Sequence, residues 1–101
     1  MNEHQFEFEW DEIKAAANLH KHGVSFELSA TVFSDPRLVT TADLEHGDLE
    51  ERWLSVGMAS NGIILCVVYL WSESNVTTTK VRLISARKAT PAEINYYRGG
   101  L

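Results

Sequence analysis

The chain has a single cysteine, Cys66, and it lies inside an apolar run. That excludes an internal disulfide framework and suits a small buried hydrophobe in a reducing cytoplasm. No apolar run reaches the roughly 18 residues of a membrane span. The opening Met1-Asn2-Glu3-His4 has neither the positive charge nor the apolar segment of a signal peptide, so a cytoplasmic location is expected. Repeats, low-complexity tracts and linker-like stretches are missing too, which leaves one domain in 101 residues. Positive charge is scarce at the start: residues 1–50 hold 3 Lys/Arg against 11 Asp/Glu, and residues 51–101 hold 6 against 3. The overall balance of −5 argues against coating nucleic acid by bulk electrostatics. It leaves room for a local basic site and suits a cationic partner.

What is present is an ordinary globular composition, 45% hydrophobic and 23% charged. Phe6, Phe8 and Trp10 alternate with Glu7 and Glu9, as in a half-buried first strand. Asp11 caps a helix from Glu12 to about His22, with Gly23 just past its end. Helical spacing puts Ile13, Ala16, Ala17 and His20 toward the core, and Lys14, Asn18 and His22 on other sides. Ser25 opens a second short helix, Phe26 to Val32 or Phe33, which Asp35-Pro36 ends. Arg37 to Thr41 is a short strand, and 42–50 the longest loop. Across 51–59, Arg52, Leu54, Val56 and Met58 share one face, with Trp53, Ser55 and Gly57 on the other. Asn61-Gly62 is the clearest hairpin signal. Ile63 to Trp71 is apolar enough for a strand covered on both faces, 72–77 reads as a loop, and Thr78 to Ala86 as the next strand. Thr90, Pro91 and Glu93 form a capping box for a last helix reaching Tyr97. The expected fold is α+β: a mostly antiparallel sheet of about four to six strands, two N-terminal helices and one C-terminal helix.

The strand 81–86 runs straight into that last helix, and Arg87-Lys88 occupy the junction. Cations held between two rigid elements present charge to a phosphate with little entropic loss; a surface pair in a connecting loop is the plainer reading. Phe8-Glu9-Trp10-Asp11 precedes Lys14, Asn18 and Lys21-His22-Gly23-Val24-Ser25-Phe26. Asp35-Pro36, His46, Glu51-Arg52-Trp53 and Gly57 follow, then Arg82-Leu83-Ile84-Ser85-Ala86-Arg87-Lys88-Ala89 with Glu93 and Tyr97. In this order and spacing, from about Phe8 to Tyr97, the chain resembles the BrnT family of type II toxin–antitoxin toxins. The resemblance implies a RelE-like fold and a metal-independent endoribonuclease that arrests translation. It also implies neutralisation by a small BrnA-like antitoxin, in complexes of two toxins and two antitoxins, with operator DNA bound only through the antitoxin.

Cleaving RNA without metal requires a base for the 2′-hydroxyl, cations for the phosphorane charge and an acid for the leaving oxygen. In the matching motifs, His22 is the residue of a type suited to either proton role; its ring can equally cap the end of the first helix. Lys21 beside it can hold a phosphate or simply complement the helix dipole. Arg82 and Arg87 offer planar forks to phosphate oxygens, but five residues apart they share a face only if the strand bulges or turns after Ser85. Arg82 can instead pair with a carboxylate of the neighbouring strand. Arg52, Trp53, Lys88 and Tyr97 complete the candidates as substrate-binding residues. Arg52 can also form a structural salt bridge, and Trp53, Trp71 and Tyr97 can be core aromatics rather than base-stacking ones. His20, His22 and His46 do not make a metal site at helical spacing, and neither a metal nor another cofactor is expected. Two further readings stay open. One is a catalytically weak, toxin-like module that mainly binds an antitoxin and co-regulates its operon. The other is a stand-alone nucleic-acid-binding domain, which the acidic balance opposes.

Overall fold

In the computed structural model, which describes residues 4–43 and 51–99, one five-stranded sheet is joined by three α-helices. In chain order these are β1 (Gln5–Glu9), α1 (Glu12–His22), α2 (Phe26–Ala30), a 3-10 turn (Thr31–Ser34), β2 (Val39–Ala42), β3 (Trp53–Met58), β4 (Ile64–Asn75), β5 (Thr78–Lys88) and α3 (Pro91–Tyr97). The sheet order is β1-β5-β4-β3-β2. Strands β2 to β5 form an antiparallel meander, and β1 adds to β5 in parallel.

The local signals act as their chemistry requires. The Asp11 carboxylate accepts from the Ile13 and Lys14 amides at the start of α1. Gly23, at φ 70°, closes that helix by donating its N–H to the Leu19 carbonyl. Ser25 caps α2, and Thr90 and Glu93 make the reciprocal capping box of α3. Gly62, at φ 87°, sits in the expected Asn-Gly hairpin, where its amide donates to the Ala59 carbonyl.

Two clusters cover the two faces of the sheet. On one face Val24, Phe26 at the start of α2, and Val32 pack against Leu65, Val67, Tyr69, Val81, Leu83 and Ala86. On the other, α3 lays Ile94 and Tyr97 over Val56, Ile64 and Cys66. Burial pushes the Cys66 thiol up to about 12. The thiolate is what reacts, so a thiol reagent at neutral pH should leave Cys66 intact in the folded protein and label it fully in denaturant. Gly57 on β3 is crowded: a Cβ there would lie 2.6 Å from Leu38 Cδ1 and 3.3 Å from Val32 Cβ. Gly57→Ala should therefore destabilise the fold by about 1–3 kcal/mol, read by denaturant unfolding.

Three expectations are corrected. First, α1 does not face the core through Ile13, Ala16, Ala17 and His20; all four are exposed, Ile13 at 82%. The inward positions are Ala15 and Asn18, because the key contact of α1 is polar and carries no hydrophobic periodicity. Second, β4 continues to Asn75, and Asn75 Oδ1 accepts from the Thr77 amide to turn the chain into β5. The expected loop at 72–77 is thus mostly strand. Third, β4 is covered on both faces only over its first part; Trp71 is 44% exposed. The expected loop at 42–50 begins with β2's last residue and Asp43; residues 44–50, including His46, lie outside the described residues.

Candidate functional site at the free edge of β5

The site is built on an irregularity in β5. Its register with β4 pairs Leu83 with Tyr69 and Ser85 with Val68, so Ile84 is an extra residue, a β-bulge. Residues paired across an antiparallel ladder share a face. Arg82, opposite Leu70, and Arg87, opposite Cys66, are therefore on the same face, although a regular strand would separate them. The bulge comes one residue before Ser85, rather than after it. Beyond the bulge, Ala86 returns to the buried face beside Leu83.

The same stretch of β5 has a free edge. The pairing of β1 ends at Glu9 with Arg82, so among the described residues the backbone from Leu83 onward has no strand on that side. Asn18 from α1 fills the gap. Its Nδ2 donates to the carbonyl of Ala86 at 2.9 Å and to that of Val24 at 2.9 Å, and its Oδ1 accepts from the Ala86 amide at 3.0 Å. A buried primary amide thus behaves like one residue of a neighbouring strand.

Next to this tie lies a cleft of about 210 Å³ lined by Lys14, Ala17, Asn18, Lys21, His22, Ile84 and Ser85. Lys14, Asn18 and Lys21 recur at four and three residues, on one side of α1. Among the described residues, Lys14, Lys21 and His22 have no carboxylate partner and no side-chain hydrogen bond. His22 does not cap its helix through the ring, which makes no hydrogen bond among the described residues; the Gly23 amide takes the Leu19 carbonyl. The cleft therefore has cations whose charge no neighbouring carboxylate offsets.

The arginines are held differently. Arg82 donates to Glu9 Oε2 at 2.7 Å, an exposed pair that Lys80 joins at 3.7 Å from Oε1. Arg87 meets Glu93 with two parallel bonds, 2.8 and 2.9 Å. That fork holds the Glu93 carboxyl down to about 2; burial opposes the shift, and the Thr90 amide adds to it.

The remaining candidates are spread out. Trp53 is half-buried against the main core, on the face opposite the arginines, its ring 6.5 Å from that of Trp71. Arg52 is half-buried, with no ion pair among the described residues, so the expected salt bridge is not formed there. Lys88 is exposed at the end of β5. The Tyr97 hydroxyl donates to Asp35, and Asp35 also accepts from the Met58 and Arg37 amides. For Asp35, burial raises the carboxyl, but these hydrogen bonds outweigh it and the net shift is downward; the bond to Asp35 pushes the Tyr97 phenol up. Tyr97 is a strut under α3. Sequence reasoning gave no site role to Lys14, Asn18 or Ser85. The signal available for the first two was their spacing with Lys21 along one helix. No helix of the described residues is long and apolar enough to cross a membrane.

Residues 10–93 match the model of a family described as the ribonuclease toxin BrnT of a type II toxin–antitoxin system. Among solved structures, the crystal structure of the Brucella abortus ribonuclease toxin BrnT aligns with a TM-score of 0.56 and 24% identity. That alignment covers 86% of this chain and 97% of the Brucella chain. No match was found among curated proteins.

Proposed function

The chain belongs to the BrnT family of type II toxin–antitoxin toxins, and from that premise we propose that it is a metal-independent endoribonuclease whose site is the cleft between α1 and the bulge of β5. The observation that carries this reading is the meeting of Lys14, Lys21 and His22 in one cleft whose lining includes no carboxylate. A phosphate entering there meets charge that the fold has left uncompensated, and a phosphorane, with one more negative charge, is favoured further. In this mechanism His22 exchanges the proton of the attacking 2′-hydroxyl or of the leaving 5′-oxygen. Lys21 and Lys14 hold phosphate oxygens. Arg82, on the face that continues from Ser85, leaves its exposed pairing with Glu9 for the substrate at small cost. Arg87 acts on the same face while remaining forked on Glu93. Arg52 and Lys88 are outlying contacts for the RNA, whereas Trp53, on the opposite face of the sheet, and Tyr97, which fixes α3 through Asp35, do not stack bases on this surface.

The test is partner-free protein incubated with RNA in EDTA, beside an Arg82→Ala variant. Cleavage by the wild type and at least a tenfold loss in the variant are expected; equal cleavage by both would move the site elsewhere. A BrnA-like antitoxin should suppress the activity by forming a complex of two toxins and two antitoxins, read by light scattering on the co-expressed pair.

A second reading has its own observation. Both Arg82 and Arg87 already have carboxylate partners, as in a scaffold that keeps its toxin fold chiefly to bind an antitoxin and co-regulate its operon. Folded wild-type protein that binds the antitoxin but neither cleaves RNA nor harms cells when expressed alone would select this reading.

A further inference from the structure

We infer that Asn18 is a positioning residue for the cleft: its amide locks the end of α1 to the bulged edge of β5 and so sets where Lys21 and His22 stand relative to Ile84 and Ser85. This rests on the reading of the cleft as the RNA-cleaving site.

A buried asparagine has a cost. Asn18 is 7% exposed, and a polar amide in that setting is destabilising unless its donors and acceptor are satisfied. A leucine or alanine would anchor a helix against a sheet with no such requirement. Here the amide uses three hydrogen bonds, all to main-chain atoms, at 2.9, 2.9 and 3.0 Å. Their partners are distributed with purpose. Two belong to Ala86, the first buried residue after the bulge, and the third to Val24, just past the end of α1. One side chain therefore fixes three things at once: the axial position of α1, the path of the chain leaving it, and the strand edge beside the bulge. Apolar packing slides easily along a sheet, but a two-point amide bond to a single residue's N–H and C=O has one register. Lys21 and His22 are three and four residues downstream on the same helix, so any slip of α1 displaces both. Displacements near 1 Å are enough to cost about 10²-fold in a reaction that depends on alignment.

The substitutions separate this role from simple support of the fold. Asn18→Ala removes all three bonds. Asn18→Asp keeps an acceptor for the Ala86 amide but turns a carboxylate toward the two carbonyls. Asn18→Thr retains one hydroxyl and serves if the alanine variant does not fold. Val56→Ala, in the cluster on the other face of the sheet, is the control for general destabilisation. Each is assayed for RNA cleavage in EDTA below its melting temperature, and by NMR of the His22 ring during titration with inorganic phosphate. The expected result is at least a tenfold fall in kcat for Asn18→Ala and Asn18→Asp, with KM within threefold, while Val56→Ala stays within twofold of wild type at a comparable loss of Tm. The His22 signals should respond to phosphate in wild type and Val56→Ala, and at least fivefold more weakly in Asn18→Ala. Equal losses in Val56→Ala and Asn18→Ala, or unchanged cleavage in Asn18→Ala, would overturn the inference. If wild type cleaves no RNA, the nuclease reading fails, and the phosphate titration decides alone. In that case, a response absent in wild type or identical in Asn18→Ala removes the positioning role.

Discussion

Replacing His22 by alanine is expected to slow RNA cleavage in EDTA by about a hundredfold to ten-thousandfold while leaving stability within about 0.5 kcal/mol. The two halves have separate causes. The rate effect is what a positioned proton donor or acceptor supplies. The small stability effect follows from the structure: among the described residues the His22 ring has no hydrogen-bond partner, and the helix end it occupies is already closed by the Gly23 amide. A histidine kept half-buried in a cationic cleft with nothing to hold is poorly explained as a structural part. Lys21→Ala should follow in direction with a smaller loss, since Lys14 remains in the cleft. Rates from single-turnover cleavage and Tm from calorimetry check both statements. Unchanged cleavage in His22→Ala would assign the proton transfer to another group.

The elements legible in the sequence are those whose backbone chemistry is local. The Asp11 and Thr90 caps, Gly23 and the Asn61-Gly62 turn are each decided within four residues, and each is found in place. Strand order was harder, because β1 pairs with β5 across more than seventy residues, and an alternating pattern says nothing about which partner it takes. The face of α1 was misjudged for a related reason: periodicity counts apolar residues, and the contact that orients this helix is Asn18 on the Ala86 backbone. The cleft is a product of both. It exists where β1 is too short to cover β5, so neither the free edge nor the grouping of Lys14 with Ser85 has a local signature. The bulge was legible as a condition, since Arg82 and Arg87 share a face only with one extra residue between them, and Ile84 is that residue.

Sharing a face does not make the two arginines equivalent. Arg82 and Glu9 are both exposed, about 45% and 41% as side chains, and such a pair contributes little. Arg82→Ala should therefore change stability by no more than about 0.5 kcal/mol, so its loss of cleavage can be read directly as a loss of transition-state charge stabilisation. Arg87 is different because the carboxylate it binds is itself part of the helix cap. Glu93 Oε1 accepts from both Arg87 and the Thr90 amide, and the Glu93 amide donates to Thr90 Oγ1. The guanidinium, the end of β5 and the first turn of α3 form one connected unit.

That unit should appear in the acid stability of the protein. The Glu93 carboxyl lies at about 2, below the 4.5 of an unperturbed glutamate, so the unfolded chain binds its proton first as the pH falls. The stabilisation is then complete above about pH 4.5 and is lost progressively as the pH drops toward 2. A shift of that size corresponds to about 3 kcal/mol for a fully shielded pair; partial exposure of Arg87 reduces the expectation to about 1–2 kcal/mol. Glu93→Gln should lower stability by that amount at pH 7 and flatten the fall between pH 4.5 and 2, measured by urea unfolding across the range. Asp35, also shifted downward, contributes acid sensitivity of the same sign in both proteins, so the difference between wild type and Glu93→Gln isolates the pair. Arg87→Ala should lose at least as much at pH 7, because it leaves the Glu93 carboxylate without its fork. A cleavage defect in Arg87→Ala then contains a structural share, and Glu93→Gln measures it: that variant loosens the fork but keeps the guanidinium. If Glu93→Gln cleaves RNA normally while Arg87→Ala does not, the guanidinium acts on the substrate. If both lose activity equally, Arg87 serves the site by holding α3 against β5. Parallel acid profiles for wild type and Glu93→Gln would remove the pair from the stability of the fold altogether.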